Sequence, residues 1–269
     1  MARARRFAEG TTIAAATLRR VITLPRISVA DCVTLGNGLC GLLATTTALG
    51  LLGHRHDGSG LTRGQLAVCS GLILFGTALD VLDGAAAKRF GSSGMGSTLD
   101  TLSDVLTFGL APAVMLTAAS SGDPEPWRTA ILIGSCAFVL ASMLRLARFT
   151  AYPAPPGGGF YGLAMPSAAG AIIALAFARP GSALTLAGVL VVSALMVSGI
   201  RYPHADARTI PLLSVYGVFI AVALIGLIPT RPVALAWLAV VGLTPAMASR
   251  QARRAREREL LHAAAAPRA

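Results

Sequence analysis

Charge is what this sequence has least of. Only 13% of its 269 residues are charged, against roughly 25% in a soluble domain. Acids are the scarcer sign, 12 against 23 Lys and Arg. Aromatics are few as well, at 6%. The net charge of +11 therefore comes without the basic, aromatic-interleaved stripes that stack bases, and a nucleic-acid partner is excluded. The four cysteines, Cys32, Cys40, Cys69 and Cys136, show no CxxC spacing and lie scattered in apolar segments. That excludes a disulfide framework and a zinc site. Arg19, Arg20 and Arg26 interrupt the stretch after Arg3, Arg5 and Arg6. No signal peptide is expected there. Residues 1–27 read as a basic segment, either an interfacial helix or a cytoplasmic tail.

What fills the chain instead is Ala, Leu, Val and Gly. It is 54% hydrophobic with a mean hydropathy of +0.68. Its apolar segments are too many and too long for the core helices of a soluble protein. They divide into about eight spans, at 29–53, 65–87, 97–119, 128–150, 162–179, 182–200, 211–229 and 232–248, with tight hairpins around Pro180 and Thr230. The expected fold is an all-α, polytopic membrane helix bundle. With the N-terminus inside, Arg55, Arg63, Arg128, Arg179 and Arg231 are the only basic residues of the 23 that fall outside. Every inner loop then holds at least two, which the positive-inside rule requires. Both termini are thus expected in the cytoplasm. Residues 28–248 form the transmembrane domain and 249–269 a basic cytoplasmic tail. No internal repeat appears.

A literal GxGxxG occurs at Gly36, Gly38 and Gly41. A dinucleotide site would need a preceding strand and a βαβ unit. Here the glycines lie inside an apolar helix, where they permit close helix packing.

Four of the acids fall in one stretch. Asp80 and Asp83 are spaced i,i+3 in the second span, and Asp100 and Asp104 i,i+4 in the third. Each pair shares a helix face. The intervening turn, with Lys88 and Arg89, is cytoplasmic in this topology, so the two pairs face each other across a helix hairpin near that surface. A carboxylate inside a span costs at least ~2.5 kcal/mol on the most lenient scale. Four together need neutralising. Salt bridges to Lys88, Arg145 or Arg148 are one way. Divalent Mg2+, Mn2+ or Ca2+ is the better one, since the donors are all hard oxygens with no Cys or His among them. Two ions would neutralise most of the charge, and two-metal sites recur in phosphoryl chemistry. Gly84 and Gly96 beside the acids leave room for a ligand at the helix backbone. Acids inside spans also occur in cation transporters, though there they sit near the midplane between internal repeats.

The run Asp80, Asp83, Gly84, Ala87, Gly96, Asp100, Asp104 resembles the signature of the CDP-alcohol phosphatidyltransferases, with Lys88 where that family usually has Arg. The replacement keeps a charge and loses a bidentate fork. Four further segments resemble the membrane-embedded phosphatidylserine synthases within it: Leu99 to Pro112, Leu144 to Phe149, Phe160 to Gly170 and Leu195 to Pro203. The first span, from Thr34 to Gly41, is also similar, so the likeness runs over about residues 28–228.

This resemblance implies transfer of a phosphatidyl group from CDP-diacylglycerol to the hydroxyl of L-serine, releasing CMP, at the cytoplasmic face of the cell membrane. It implies Asp80, Asp83 and Asp100 as ligands of Mg2+ or Mn2+, two ions in all. Asp104 is implied as metal-linked and as the catalytic base. Gly84, Ala87, Lys88 and Gly96 would lie against the CDP-diacylglycerol. Asn37 needs a hydrogen-bond partner within the first span, either the nucleotide or a neighbouring helix. Arg145 and Arg148, spaced i,i+3, are candidates for the acceptor carboxylate or a lipid phosphate, or else anchor the topology. Arg201 has the same two readings. Inositol phosphate, glycerol 3-phosphate and an archaeal-type lipid donor stay open as alternatives. Homodimers are common in the family, and nothing else in the sequence speaks to one.

Overall fold

The computed structural model describes residues 27–51, 60–152 and 160–202, together with Pro232, Leu235, Ala236, Leu238 and Ala239. The spans expected at 211–229 and 232–248, both tails, the Pro153–Gly159 loop and the hairpin around Thr230 lie outside or almost wholly outside these residues.

The first helix, α1 (Val29–Ala48), starts on a reciprocal cap. Ser28 Oγ accepts from the Asp31 N–H at 3.1 Å, and the Asp31 carboxylate accepts from the Ser28 N–H at 2.7 Å. Two otherwise unpaired donors of the first turn are satisfied this way. Helix α2 (Arg63–Phe90) opens on the same device, built from Thr62 and Gln65. Its 28 residues rise ~42 Å, more than the ~30 Å of hydrocarbon it crosses. The acids lie in its last three turns. Gly91, at φ +83°, ends the helix in a conformation that L side chains rarely adopt.

Helix α3 (Gly96–Ala119) returns antiparallel to α2. Directly after Asp104 it widens into a π-helical segment, Val105–Leu110, and it resumes α geometry before Pro112. Helix α4 (Trp127–Ala151) follows. A two-residue strand β1 (Phe160–Tyr161) then leads into α5 (Met165–Ala178) and α6 (Ser182–Val197). Strand β2 (Arg201–Tyr202) pairs antiparallel with β1, Phe160 opposite Tyr202. The α5–α6 hairpin at Pro180 turns on Arg179 at φ +43° and Gly181 at φ +103°.

Six of the expected spans thus meet helices. Helices α1 to α4 are each long and apolar enough to cross a membrane, while α5 and α6 are shorter, with 14 and 16 residues. Helix α5 is nearly all buried, and Phe108, Met115, Ile131 and Phe138 are fully buried in the same core. The outer faces are apolar too: Leu35, Leu39, Phe75, Leu132, Ile133, Leu140, Leu184 and Val191 are all exposed. So continuous an apolar exterior belongs against lipid, not water.

The glycines of α1 do what the sequence suggested. A Cβ on Gly38 would stand 3.1 Å from Ser103 Oγ, and one on Gly41 2.8 Å from the Thr107 backbone. On the α2 side, a Cβ on Gly76 would meet Thr107 Cγ2 at 2.6 Å and Asn37 Oδ1 at 2.8 Å. Three helices pack at one point because two of them lack side chains there. Gly76→Ala should cost about 1–3 kcal/mol by overpacking and lower the thermal unfolding midpoint in detergent. Gly71→Ala, with nothing within 4 Å of its added Cβ, should not. Equal midpoints for the two variants would show that the three-helix contact is looser than this.

Candidate active site

The acid cluster forms as the helix periodicity requires. Asp80 and Asp83 project from the last turns of α2, Asp100 and Asp104 from the first turns of α3. One carboxylate oxygen from each of Asp80, Asp83 and Asp100 lies within 4.8 Å of the others. Asp83 is buried, and Asp80, Asp100 and Asp104 are half-buried. Asp104 is close enough to Asp80 and Asp100 for their charges to interact. Among the described residues the one ion pair is Arg128 with Glu125, remote in sequence from the cluster, so salt bridges do not neutralise these acids there.

Helix α1 lies against both pairs and presents a polar face to them. Thr34 Oγ1 donates to Asp83 Oδ2 at 2.6 Å. One turn further on, Asn37 Nδ2 donates to Asp104 Oδ1 at 3.3 Å. Asn37 thus has its partner on a neighbouring helix, while its own Oδ1 is buried with none. The Asn37 carbonyl accepts from Thr107 Oγ1 at 2.8 Å, which ties α1 to the π segment behind Asp104. Thr34 and Thr107 both lie in segments that carry the resemblance, though neither was singled out there for a role. The legible signal was position, since Thr34 stands three residues before Asn37 on the same helix face.

The donor set fits a divalent cation. The oxygens are hard and converge, and Asp100 Oδ1 is buried without a hydrogen-bond partner. A buried oxygen with no donor is costly, and a bound cation would satisfy it.

Around this cluster the other expected residues take varied places. A Cβ on Gly84 would meet nothing within 4 Å, so the helix face beside Asp83 is open. Ala87 is half-buried and Lys88 exposed beyond it. Gly96 is different, because a Cβ there would stand 3.3 Å from Asp31 Oδ1. Arg145 is buried between Phe149 and Phe160, 6.0 and 5.6 Å from their ring centroids, with its Nε unpartnered. It is near enough to Asp104 to interact with it electrostatically. Arg148 turns elsewhere. Its guanidinium donates to the carbonyls of Val197, Tyr161, Met196 and Ser198 at 2.9–3.4 Å, which closes the end of α6 onto β1. Arg201 sits on β2 beside Tyr202, whose ring stacks on Phe160.

This geometry accompanies a match over residues 27–200 to the family model for CDP-alcohol phosphatidyltransferases. The chain belongs to that family. Among its relatives is the archaetidylserine synthase of Methanothermobacter thermautotrophicus, 36% identical over 149 residues, which are 53% of this chain and 61% of that one. A CDP-diacylglycerol–serine O-phosphatidyltransferase of Methanocaldococcus jannaschii is 29% identical over 213 residues, 78% of this chain and 87% of that one. The Bacillus subtilis protein of the same name is 32% identical over 176 residues, 64% of this chain and 88% of the relative. The transferase family uses divalent metal ions, in keeping with the cluster of Asp80, Asp83 and Asp100. Membership makes this chain a membrane-embedded transferase, and the transporter reading falls away.

Removing a hydrogen bond to a charged group costs about 1.5–3 kcal/mol, or about ten- to a hundredfold in rate if the loss is felt in the transition state. Asn37→Leu should lower transferase turnover by that factor while the protein still inserts and folds. Unchanged turnover would show that Asp104 does not depend on the α1 donor.

Proposed function

We propose that this phosphatidyltransferase moves the phosphatidyl group of CDP-diacylglycerol to the hydroxyl of L-serine. The observation that carries the reading is the converging set of Asp80, Asp83 and Asp100, with Asp104 beside it, braced by α1. The acceptor rests on the relatives, since the names of all three contain serine as the group transferred to or present in the product. Arg145 supports it, as a buried guanidinium with an unpartnered Nε offers a donor to a carboxylate.

In this reading Asp80, Asp83, Asp100 and Asp104 hold two divalent ions, Mg2+ or Mn2+. When bound, such ions hold phosphate oxygens and stabilise charge that builds up on them. The chain's own residues do the rest. The open face beside Gly84 and Ala87 takes the cytidine diphosphate, and Lys88 lies at its rim. Arg145 takes the serine carboxylate. Asp104 receives Asn37 on Oδ1, which leaves Oδ2 to accept the serine hydroxyl proton. The serine oxygen forms a bond to the phosphorus that bears diacylglycerol. The bond from that phosphorus to the CMP oxygen breaks, and CMP leaves with the electron pair. Arg148, taken up by four carbonyls, holds β1 and the end of α6 in place and is given no ligand here.

We place this site at the cytoplasmic face of the cell membrane, in a bundle of eight spans with both termini inside. Support comes from the basic residues, because Lys88, Arg89, Arg145, Arg148 and Arg201 lie at the acid-cluster end of the helices and Arg63, Arg128 and Arg179 at the other. Serine, inositol phosphate and glycerol 3-phosphate should be offered separately to detergent-purified protein with CDP-diacylglycerol and Mn2+. CMP release is expected with serine alone, matched by phosphatidylserine. Release with a phosphorylated acceptor instead would overturn the serine assignment and leave the family intact. An archaeal-type CDP-lipid as the faster donor would overturn the diacylglycerol assignment. Asp104→Asn should abolish turnover in protein that still inserts, and near-normal activity would take the base role away from Asp104.

A further inference from the structure

Asp31 is an acid that none of the chemistry above uses, and it is almost fully buried, at 1% exposure. Both of its oxygens are engaged. Oδ2 accepts from the Ser28 N–H at 2.7 Å, within the cap of α1. Oδ1 accepts from Ser93 Oγ at 3.0 Å, across 62 residues of chain. Ser93 stands in the short turn that joins α2 to α3, between the two acid pairs. The same Ser93 Oγ accepts from the Met95 N–H at 3.2 Å, and the Ser93 carbonyl from the Gly96 N–H at 3.2 Å. A chain of hydrogen bonds thus leads from α1 through Asp31 and Ser93 into the first turn of α3. Asp100 follows one turn later and Asp104 one turn after that. Gly96 belongs to this arrangement, because any side chain there would press on Asp31 Oδ1.

The turn itself has little else to fix it. It contains Gly91 and Gly94, it is largely exposed, and a Cβ on either glycine would meet nothing within 4 Å. Yet the distance between the Asp80–Asp83 pair and the Asp100–Asp104 pair depends on how this turn seats α3. We infer that Asp31 and Ser93 form a latch that sets the spacing of the two aspartate pairs, and so act as positioning residues for the divalent-cation site. Together with Thr34 on Asp83 and Asn37 on Asp104, they make one face of α1, at positions 31, 34 and 37, the template for the whole cluster. The inference rests on the metal reading given above.

The test is Mn2+ binding itself, followed by electron paramagnetic resonance of the full chain in detergent without substrate, beside the thermal midpoint of the metal-free protein. Partners that orient metal ligands are typically worth about 10–100-fold in metal affinity. Ser93→Ala and Asp31→Ala should weaken Mn2+ binding by at least about tenfold. Ser93→Thr, which keeps the hydroxyl, should restore it. Ser92→Ala, whose hydroxyl has no hydrogen bond among the described residues, should bind as the unaltered chain does. A purely structural role would instead lower the metal-free midpoint of Ser93→Ala and leave its Mn2+ affinity in place, which overturns the latch. Should Asp31→Ala fail to fold, the comparison of Ser93→Ala with Ser93→Thr decides alone. If the unaltered chain binds no Mn2+, the metal reading fails and the latch with it. If the unaltered chain and Ser93→Ala bind equally, the latch alone fails.

Discussion

Everything here depends on keeping four carboxylates close together among apolar helices. Left alone, Asp80, Asp83, Asp100 and Asp104 would repel one another, and each would lose hydration it needs. The fold answers from two sides. Cations can enter from the open side, toward oxygens of Asp80, Asp83 and Asp100 that converge within 4.8 Å. From the closed side α1 supplies neutral donors, a hydroxyl to Asp83 and an amide to Asp104. Neutral donors orient a carboxylate without cancelling its charge, so the acids keep their attraction for a metal ion. A lysine or arginine in the place of Thr34 or Asn37 would compete with that ion.

Bringing α1 so close has a packing requirement. Gly38 and Gly41 on α1 and Gly76 on α2 remove the side chains that would hold the three helices apart at Ser103 and Thr107. The π segment Val105–Leu110 begins at the residue after Asp104 and carries Thr107 to the Asn37 carbonyl. π turns are rare and concentrate at functional sites. Here the wider turn lies between the acid-bearing part of α3 and its apolar remainder, and its Gly109 packs on Ser142 of α4. The aspartate pairs, the glycine contacts and the π turn are parts of one solution to the approach of α1.

Much of this was legible in the sequence for identifiable reasons. The i,i+3 and i,i+4 spacings of the acids translate directly into helix faces, and charge inside an apolar run stands out. The GxGxxG run was readable as helix packing because no strand precedes it. Asn37 was legible as a polar residue needing a partner, while the identity of its helix partner, Asp104, was visible only in the structure. Arg148 was harder, because its partners lie 13 and 48–50 residues away and are all backbone carbonyls, which leave no mark on residue type. Asp31 drew no reading from the sequence, because its bond to Ser93 depends on tertiary packing. Hydropathy located α5 and α6 yet overestimated their length, since the β1–β2 ribbon and its connections take up residues before the first and after the second.

The most direct test of the central claim is CMP release from CDP-diacylglycerol by purified protein after exhaustive chelation, followed by restoration of Mg2+ or Mn2+. A site held together by divalent ions should fall silent in excess chelator and recover when either ion returns. Full activity in excess chelator would contradict the account, because the clustered carboxylates would then be working without the cations that justify their proximity.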